Sequence, residues 1–234
     1  MSKKNKISLI ISCVIILVAI ILGILWQQGF LGGEKGLLKV IQGRPDLLAL
    51  FDKTKAIEEK ISKDLANAAW HLELGMTWKS IAERGGGEPF FEKSLDAYEY
   101  GIKKFGKQNI LFYLNGGKLA ERLDANAKAE RYYKKAIEIS PADESGYLYL
   151  ADLYSYKMFK PKEDVLRVYS LGLSSQMVGT IPIIAARASY LRRIGDWAGA
   201  LTDYRVLSEN FPNNQGFKDV IKELEAATTK TNTN

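Results

Sequence analysis

Four tyrosines recur at nearly constant spacing and constrain the fold more than any other feature of the chain. They lie 35, 36 and 35 residues apart and are Tyr98, Tyr133, Tyr169 and Tyr204. A small or β-branched residue lies four positions before each tyrosine and a small or apolar residue three positions after it, as Ala129 and Ala136 do around Tyr133. Residues at i, i+4 and i+7 share one face of a helix. The spacing therefore predicts a packed helix that returns once in each repeat.

A second apolar helical pattern precedes each of these helices and ends in a break, so the repeating unit is a pair of helices. In the period of the unit and in the residues of its turn and second helix, the chain resembles the tetratricopeptide repeat family from about 68 to 214. The residues that carry the resemblance best are Gly195, Asp196, Ala200, Tyr204 and Pro212. The resemblance implies an all-α, right-handed superhelix of helical hairpins, with repeats at about 68–109, 110–143, 144–180 and 181–214. Three glycines and Pro89 are expected to lengthen the turn of the first repeat.

Segments on both sides of the repeats have the apolar spacing of capping helices, which the ends of a helical array require. Residues 46–66 predict an amino-terminal cap, because they lack the three clean heptads of a coiled coil. Residues 215–227 predict a carboxyl-terminal cap with one stripe, formed by Phe217, Val220, Ile221 and Leu224. Residues 228–234 have no apolar anchor and are predicted to be disordered.

An uncharged segment at residues 7–26, made mostly of Ile, Leu and Val, predicts a transmembrane helix. At 1.5 Å per residue it spans roughly 30 Å, the thickness of the hydrocarbon core of a bilayer. It is longer than the core of a signal peptide and runs into Trp26 without a small-residue cleavage site, so it is expected to remain uncleaved. The basic tail at 1–6 favours a cytoplasmic amino terminus and extracytoplasmic repeats in a cell membrane. Residues 27–45 are predicted to form a flexible, Gly-rich linker.

Composition and motifs argue against catalysis and against nucleic acid as a partner. The net charge is +6, and the lysines of residues 1–6 supply half of it, which leaves too little for a nucleic-acid surface. The only histidine, His71, lies in a repeat helix and is expected to be structural. The only cysteine, Cys13, lies in the apolar segment, so a disulfide and a cysteine-based zinc site are excluded. Lys118 follows two glycines but lacks the spacing of a phosphate-binding loop. We predict no catalytic residue, no metal site and no cofactor.

The resemblance implies a groove, lined by the first helix of each pair, that binds a protein or peptide segment. The expected groove residues are Leu72, Met76 and Lys79 in the first repeat, Leu114, Lys118 and Arg122 in the second, Leu148, Asp152 and Tyr156 in the third, and Ala185, Ser189, Arg192 and Arg193 in the fourth. Of the positions at which some family members clamp a terminal carboxylate, only Asn115 fits, so such tails are not expected to bind. Leucine and arginine side chains favour a partner segment that is acidic and partly apolar.

The sequence thus predicts a membrane-anchored scaffold for protein–protein interaction, in contact with the lipid bilayer through residues 7–26. The alternative is a permanent structural subunit of an envelope, secretion or pilus-type membrane complex. The two differ in whether the partner segment is exchanged or held permanently.

Overall fold

The computed structural model of the protein describes residues 33–175 and 179–231. The predicted basic tail and transmembrane helix, at 1–6 and 7–26, lie outside these residues. Within the described part, no helix is both long and apolar enough to cross a bilayer.

The described residues form α-helices joined by short turns. In chain order these are α1 Glu34–Val40, α2 Pro45–Lys63, α3 Ala68–Ile81, α4 Glu88–Phe105, α5 Leu111–Arg122, α6 Asn126–Ile139, α7 Glu144–Asp152, α8 Lys162–Ser174, α9 Thr180–Arg193, α10 Trp197–Asn210 and α11 Gln215–Thr231. A single π-helical turn extends α3 over Ala82–Gly86, and another extends α7 over Leu153–Lys157. The described chain divides within α4 into two compact units, 33–100 and 101–231.

The first unit is held together by aromatic contacts between α2, α3 and α4. Phe51 of α2 packs edge-on against Trp78 of α3, with 5.5 Å between ring centroids. The buried Ser94 hydroxyl of α4 donates a hydrogen bond of 2.7 Å to the carbonyl oxygen of Gly75 in α3. A side chain at Gly75 would meet the ring of Tyr98, so the glycine permits this close approach of the two helices. The helix α2 occupies the place expected for the amino-terminal cap.

The predicted tyrosine stripe is confirmed in both units. Tyr98, Tyr133 and Tyr169 are at most 2% exposed, and Tyr204 is 8% exposed. The residues four positions earlier in each helix, Ser94, Ala129, Val165 and Ala200, are fully buried. In the second unit a side chain at Gly172 would lie 3.1 Å from the ring of Tyr147. The small residues of the stripe therefore mark places where neighbouring helices approach closely.

Two segments that the sequence predicts to be unstructured are helical over part of their length. Residues 34–40 of the expected linker form α1, because Leu37 and Ile41 are buried and tie the segment to the first unit. At the other end, α11 continues through 228–231 of the expected disordered tail. Leu224 is fully buried and anchors this helix, and the Thr228 hydroxyl donates a hydrogen bond of 2.8 Å to the Leu224 carbonyl oxygen. The predictions are therefore wrong for 34–40 and for 228–231: the first gives too much weight to the glycines around Leu37 and Ile41, and the second overlooks that the anchor, Leu224, precedes the segment.

The extra residues of the first repeat form the break between α3 and α4, where Gly85 and Gly87 have positive φ values, and part of them is wound into a π-helical turn. The π-helical turn closes with a hydrogen bond of 3.2 Å from the Gly87 amide to the Ala82 carbonyl oxygen. Gly85 has a φ of 114°, which a residue with a side chain rarely adopts. The helix α4 begins at Glu88, and Pro89 is tolerated in its first turn, where no intrahelical donor is needed.

Candidate functional site

A cavity of about 420 Å³ opens in the second unit between α5 and α7, which are first helices of adjacent repeats. It is lined by Lys118, Glu121, Arg122, Tyr133, Tyr149, Asp152 and Lys157. Residues 118, 121 and 122 share one face of α5, and 149 and 152 share one face of α7, because each set has three- and four-residue spacing. The structure thus brings together three of the expected groove residues, Lys118, Arg122 and Asp152.

Two tyrosine rings in contact with each other form the apolar part of this cavity. The Lys118 Nζ atom lies 3.9 Å from the ring centroid of Tyr149, within the range of a cation–π contact. The Tyr149 ring lies 5.6 Å from that of Tyr133, whose hydroxyl donates a hydrogen bond of 3.1 Å to a carboxylate oxygen of Glu121. Burial, with a smaller effect of Glu121, raises the pKa of Tyr133 above its usual value. Tyr133 is therefore a neutral donor that holds the Glu121 carboxylate in place.

Asp152 lies in a mixed electrostatic environment at the mouth of the cavity. Its side chain reaches solvent, but surrounding protein atoms remove part of its hydration. This desolvation, together with the negative charge of Glu121, raises the pKa of Asp152. The charges of Arg193 and Lys118 act in the opposite direction and are outweighed. Asp152 is thus a carboxylate that would gain from an additional cation or hydrogen-bond donor.

A second cavity, of about 310 Å³, lies between α9, α10 and α11. Its lining residues are Ser189, Arg192, Arg193, Trp197, Tyr204 and Glu223. One Nη atom of Arg192 donates to both carboxylate oxygens of Glu223, at 3.0 and 2.7 Å. This pair joins the fourth repeat to the helix that caps it and neutralises one of the two expected basic residues.

Arg193, the other expected basic residue, is held by aromatic rings. Its guanidinium carbon lies 4.4 Å from the ring centroid of Tyr156 and 5.2 Å from that of Tyr190. It also donates a hydrogen bond to the Ser155 hydroxyl. Tyr156 is 55% exposed, so an open aromatic face remains beside the arginine.

Several expected groove positions lie outside both cavities. The prediction that Leu114 lines the groove is wrong, because this side chain is 5% exposed and belongs to the core of the second unit. Most of the circumference of α5 is buried, and its exposed residues are Leu111, Lys118 and Arg122. Leu148 and Ala185 are half-buried against the same core.

The expected positions of the first unit lie along α3. Leu72 is half-buried and Met76 is 56% exposed. The ammonium group of Lys79 lies 3.4 Å from the carboxylate of Glu83. His71 is buried and stacked on Tyr100 at 4.8 Å, a packed environment that agrees with a structural role. In the described part of the chain, His, Cys, Asp and Glu side chains form no group of three or more that could hold a metal ion.

Sequence reasoning misses four important lining residues, Tyr149, Lys157, Trp197 and Glu223. Tyr149 has a signal, since it lies one helical turn before Asp152 and hence on the same face. Lys157 has none, because it follows Asp152 through a π-helical turn that no sequence pattern marks. Glu223 comes from the capping helix, which is not expected from sequence to reach the groove.

Comparison with known proteins identifies the fold. No protein-family model matches the sequence, and no curated protein matches it. A tetratricopeptide repeat protein from Parabacteroides merdae ATCC 43184 is 16% identical with a TM-score of 0.55, over 84% of this chain and 75% of that chain. YrrB, described as a TPR protein with an unusual peptide-binding site, is 14% identical with a TM-score of 0.52, over 75% and 85%. TTC0263, a TPR protein from Thermus thermophilus, is 13% identical with a TM-score of 0.51, over 84% and 100%. The chain therefore has an all-α, tetratricopeptide-repeat-like fold.

Proposed function

We propose that this chain is a membrane-anchored scaffold that binds a segment of a partner protein in the groove of its second unit. The observation that carries the proposal is the cavity between α5 and α7, where cations and the ring of Tyr149 are presented together on first helices. YrrB, which has a similar fold, is described as having a peptide-binding site, and this supports peptide binding as a use of such a fold.

The charges of the two cavities favour an acidic partner segment. The first is lined by three cations and two carboxylates, and the second by two cations and one carboxylate. Each thus has one positive charge in excess, which attracts carboxylates on a partner. Binding should weaken as salt rises, because the lining is open to solvent.

The apolar part of the proposed recognition comes from aromatic rings and not from leucines. Leu114 is buried in the core, whereas Tyr149 and Trp197 line the cavities. Aromatic residues supply large contact area and are enriched at interfaces. A partner segment that alternates acidic and apolar side chains would satisfy both features.

Charge reversal at Lys118 tests the groove. We expect Lys118→Glu in the full-length chain to reduce recovery of partners that are isolated from cells without cross-linking, and to lower the salt concentration at which they dissociate. The control is Arg131→Glu, a reversal of an exposed arginine on α6 that lines neither cavity. Circular dichroism would verify that both variants are folded. Recovery of the same partners at the same salt by Lys118→Glu would place recognition elsewhere.

A photoreactive side chain introduced in cells would locate the contact directly. Ser189 is exposed in the second cavity, and Ser170 is exposed on α8 outside both cavities. We expect a cross-linker at 189, but not at 170, to capture the partner. Complexes that survive both high salt and detergent would favour the alternative, a permanent structural subunit of an envelope, secretion or pilus-type complex, over an exchanging scaffold.

The anchor is proposed from the sequence of residues 7–26. If these residues span the membrane uncleaved, the full-length chain stays in the pellet after a carbonate wash. Protease added outside the cytoplasmic membrane, with any outer layer opened, should digest the repeats and spare the amino-terminal end. Repeats that stay protected until that membrane is lysed would reverse the proposed orientation.

A further inference from the structure

A turn between α7 and α8 presents a large apolar side chain to solvent. Phe159 is 81% exposed and has a φ of 48°, a left-handed conformation that is uncommon for a bulky residue. Two backbone hydrogen bonds fix the turn, from the Met158 amide to Leu153 and from the Lys160 amide to Tyr154, each 2.9 Å to the carbonyl oxygen. The fold therefore holds this phenylalanine away from its own core.

Lysines surround the exposed phenylalanine. The turn and the residues beside it, 156–162, contain Lys157, Lys160 and Lys162. Lys157 lies 3.9 Å from a carboxylate oxygen of Asp124, and Lys162 lies 2.6 Å from one of Asp196. The Lys160 ammonium lies 5.8 Å from the ring centroid of Tyr154. The lysines at 157 and 162 keep 41% and 42% of their side-chain surface in solvent, so their charges remain available to a large partner.

These contacts show that three hairpin turns lie side by side along one edge of the second unit. Asp124 belongs to the turn between α5 and α6, and Asp196 belongs to the turn between α9 and α10. Ile194, in the latter turn, is 38% exposed. The three turns, at 122–125, 156–162 and 192–196, contain six cations and two carboxylates, and one of the cations, Arg192, is paired with Glu223 of α11. Glu163 and Asp164 follow at the start of α8, where Asp164 is paired with Arg167 at 3.1 Å.

The edge combines an apolar apex with positive charge spread on both sides of it. A surface that complements this arrangement is anionic over a wide area and apolar just beneath the charges. An anionic lipid bilayer has both properties, since aromatic side chains enter the boundary of headgroups and acyl chains while lysine ammonium groups reach the headgroups. A pocket on a partner protein would enclose Phe159 alone, whereas the surface of a bilayer extends over all three turns.

We propose that this edge of the second unit, with Phe159 at its apex, contacts the surface of an anionic lipid bilayer. The contact would orient the groove of the second unit relative to the membrane. The edge shares Arg122, Lys157, Arg192 and Arg193 with the linings of the groove cavities. Phe159 and Lys160 line neither groove cavity, so changes at these two positions test the bilayer contact apart from partner binding.

A spin label on the edge can test the contact in the full-length chain. Cys13 is the only cysteine, so Cys13→Ser gives a background in which Ile194→Cys carries a single label. The control label is Asn213→Cys, exposed in the turn between α10 and α11 at the other end of the helices. Both proteins are reconstituted in vesicles of phosphatidylcholine alone or with phosphatidylglycerol.

We expect the label at 194 to lose accessibility to a water-soluble nickel complex and to gain accessibility to oxygen in phosphatidylglycerol vesicles. The label at 213 should stay accessible to the nickel complex in both types of vesicle. Phe159→Ser and Lys160→Glu, each added to the labelled chain, should restore access of the nickel complex to the label at 194. Both change exposed side chains of the turn and leave Lys118 in place.

Three outcomes would overturn the proposal. In the first, the label at 194 is as accessible to the nickel complex as the label at 213 in anionic vesicles. In the second, protection is the same without phosphatidylglycerol and is unaffected by Lys160→Glu. In the third, protection arises in detergent without lipid and increases with protein concentration, which would assign the edge to contact with a second copy of the chain.

Discussion

Gly116 and Gly117 are neighbours in α5, yet we expect substitution to alanine to stabilise the chain only at Gly116. A Cβ atom at Gly117 would overlap the ring of Tyr133, which is fully buried and whose hydroxyl donates a hydrogen bond to Glu121. A Cβ atom at Gly116 would meet Ile102 at 3.4 Å and Tyr132 at 3.5 Å, which is ordinary van der Waals contact. The pair separates the effect of helix propensity from that of packing.

The expected magnitudes follow from these two environments. Alanine is favoured over glycine inside a helix by about 1 kcal/mol, and both substitutions gain this term. Overpacking of a well-packed core costs about 1–3 kcal/mol. Only Gly117→Ala incurs this cost, because the added Cβ atom would overlap the ring of Tyr133, which its hydrogen bond to Glu121 holds in place. Gly116→Ala should therefore stabilise the chain. Gly117→Ala should be less stable than Gly116→Ala by about 1–3 kcal/mol.

Urea unfolding of the full-length chain in detergent, followed by far-ultraviolet circular dichroism, measures this difference. The parent chain and both variants are compared at equal detergent concentration, so that any effect of residues 7–26 cancels. Thermal unfolding should give the same order of stability, with a gap of several degrees. Equal stability of the two variants, or a higher stability of Gly117→Ala, would show that Tyr133 does not pack on Gly117 and that the helix register is wrong.

Three further predictions concern carboxylates. Asp203, with a side chain 3% exposed, accepts hydrogen bonds of 2.8 and 2.7 Å from Arg187. Asp203→Ala should cost about 3 kcal/mol in chemical denaturation because it leaves a partly buried cation unpaired, and the double change to Arg187→Met and Asp203→Leu should recover most of the loss. The pKa of Asp196 is lowered by the hydrogen bond from Lys162 and, to a smaller extent, by the hydrogen bond from the Gly199 amide. The carboxylate of Asp196 therefore stabilises the fold above the usual carboxyl pKa, and this stabilisation is lost as pH falls through the lowered pKa. In thermal unfolding, Asp196→Ala should thus be less stable than the parent by about 1 kcal/mol at neutral pH, and the two curves should converge in acid. Asp152 has a raised pKa, so its ionised form is less favourable in the folded chain than in the unfolded chain and stability falls as pH rises through that range. Asp152→Asn should raise the melting temperature at neutral pH, and an advantage that persists below about pH 4 would contradict this reason.

The repeating core can be predicted because it depends on side-chain size at fixed spacing. Tyr98 and Tyr133 each pack against a glycine of the preceding helix, Gly75 and Gly117, and the tyrosines recur at nearly constant intervals in the sequence. The sequence predicts that a residue lies in a helix, but it does not show which face of that helix is exposed to solvent. The sequence therefore assigns Leu114 to the groove although it lies on the buried face of α5.

The electrostatic character of the groove depends on contacts between residues distant in sequence. Arg192 and Glu223 are 31 residues apart, and only the packing of α11 against the fourth repeat brings them together. The sequence alone therefore overestimates the charge that Arg192 offers to a partner. Similarly, Arg193 is adjacent to Tyr156 only because the second π-helical turn directs that tyrosine toward α9. Spacing rules for a regular α-helix do not contain this displacement.

The second π-helical turn also bears on how the repeat can change in length during evolution. Its hydrogen bond from the Met158 amide to Leu153 closes a ring that contains one residue more than an α-helical turn. The interval from Tyr133 to Tyr169 is likewise one residue longer than the other two intervals. The longer interval thus coincides with a local widening of the helix end, and the stripes of α7 and α8 remain buried. An insertion in the middle of either helix would instead turn every later side chain by about 100° and bury charged residues. Gain or loss of single residues in this repeat should therefore be tolerated at the end of its first helix.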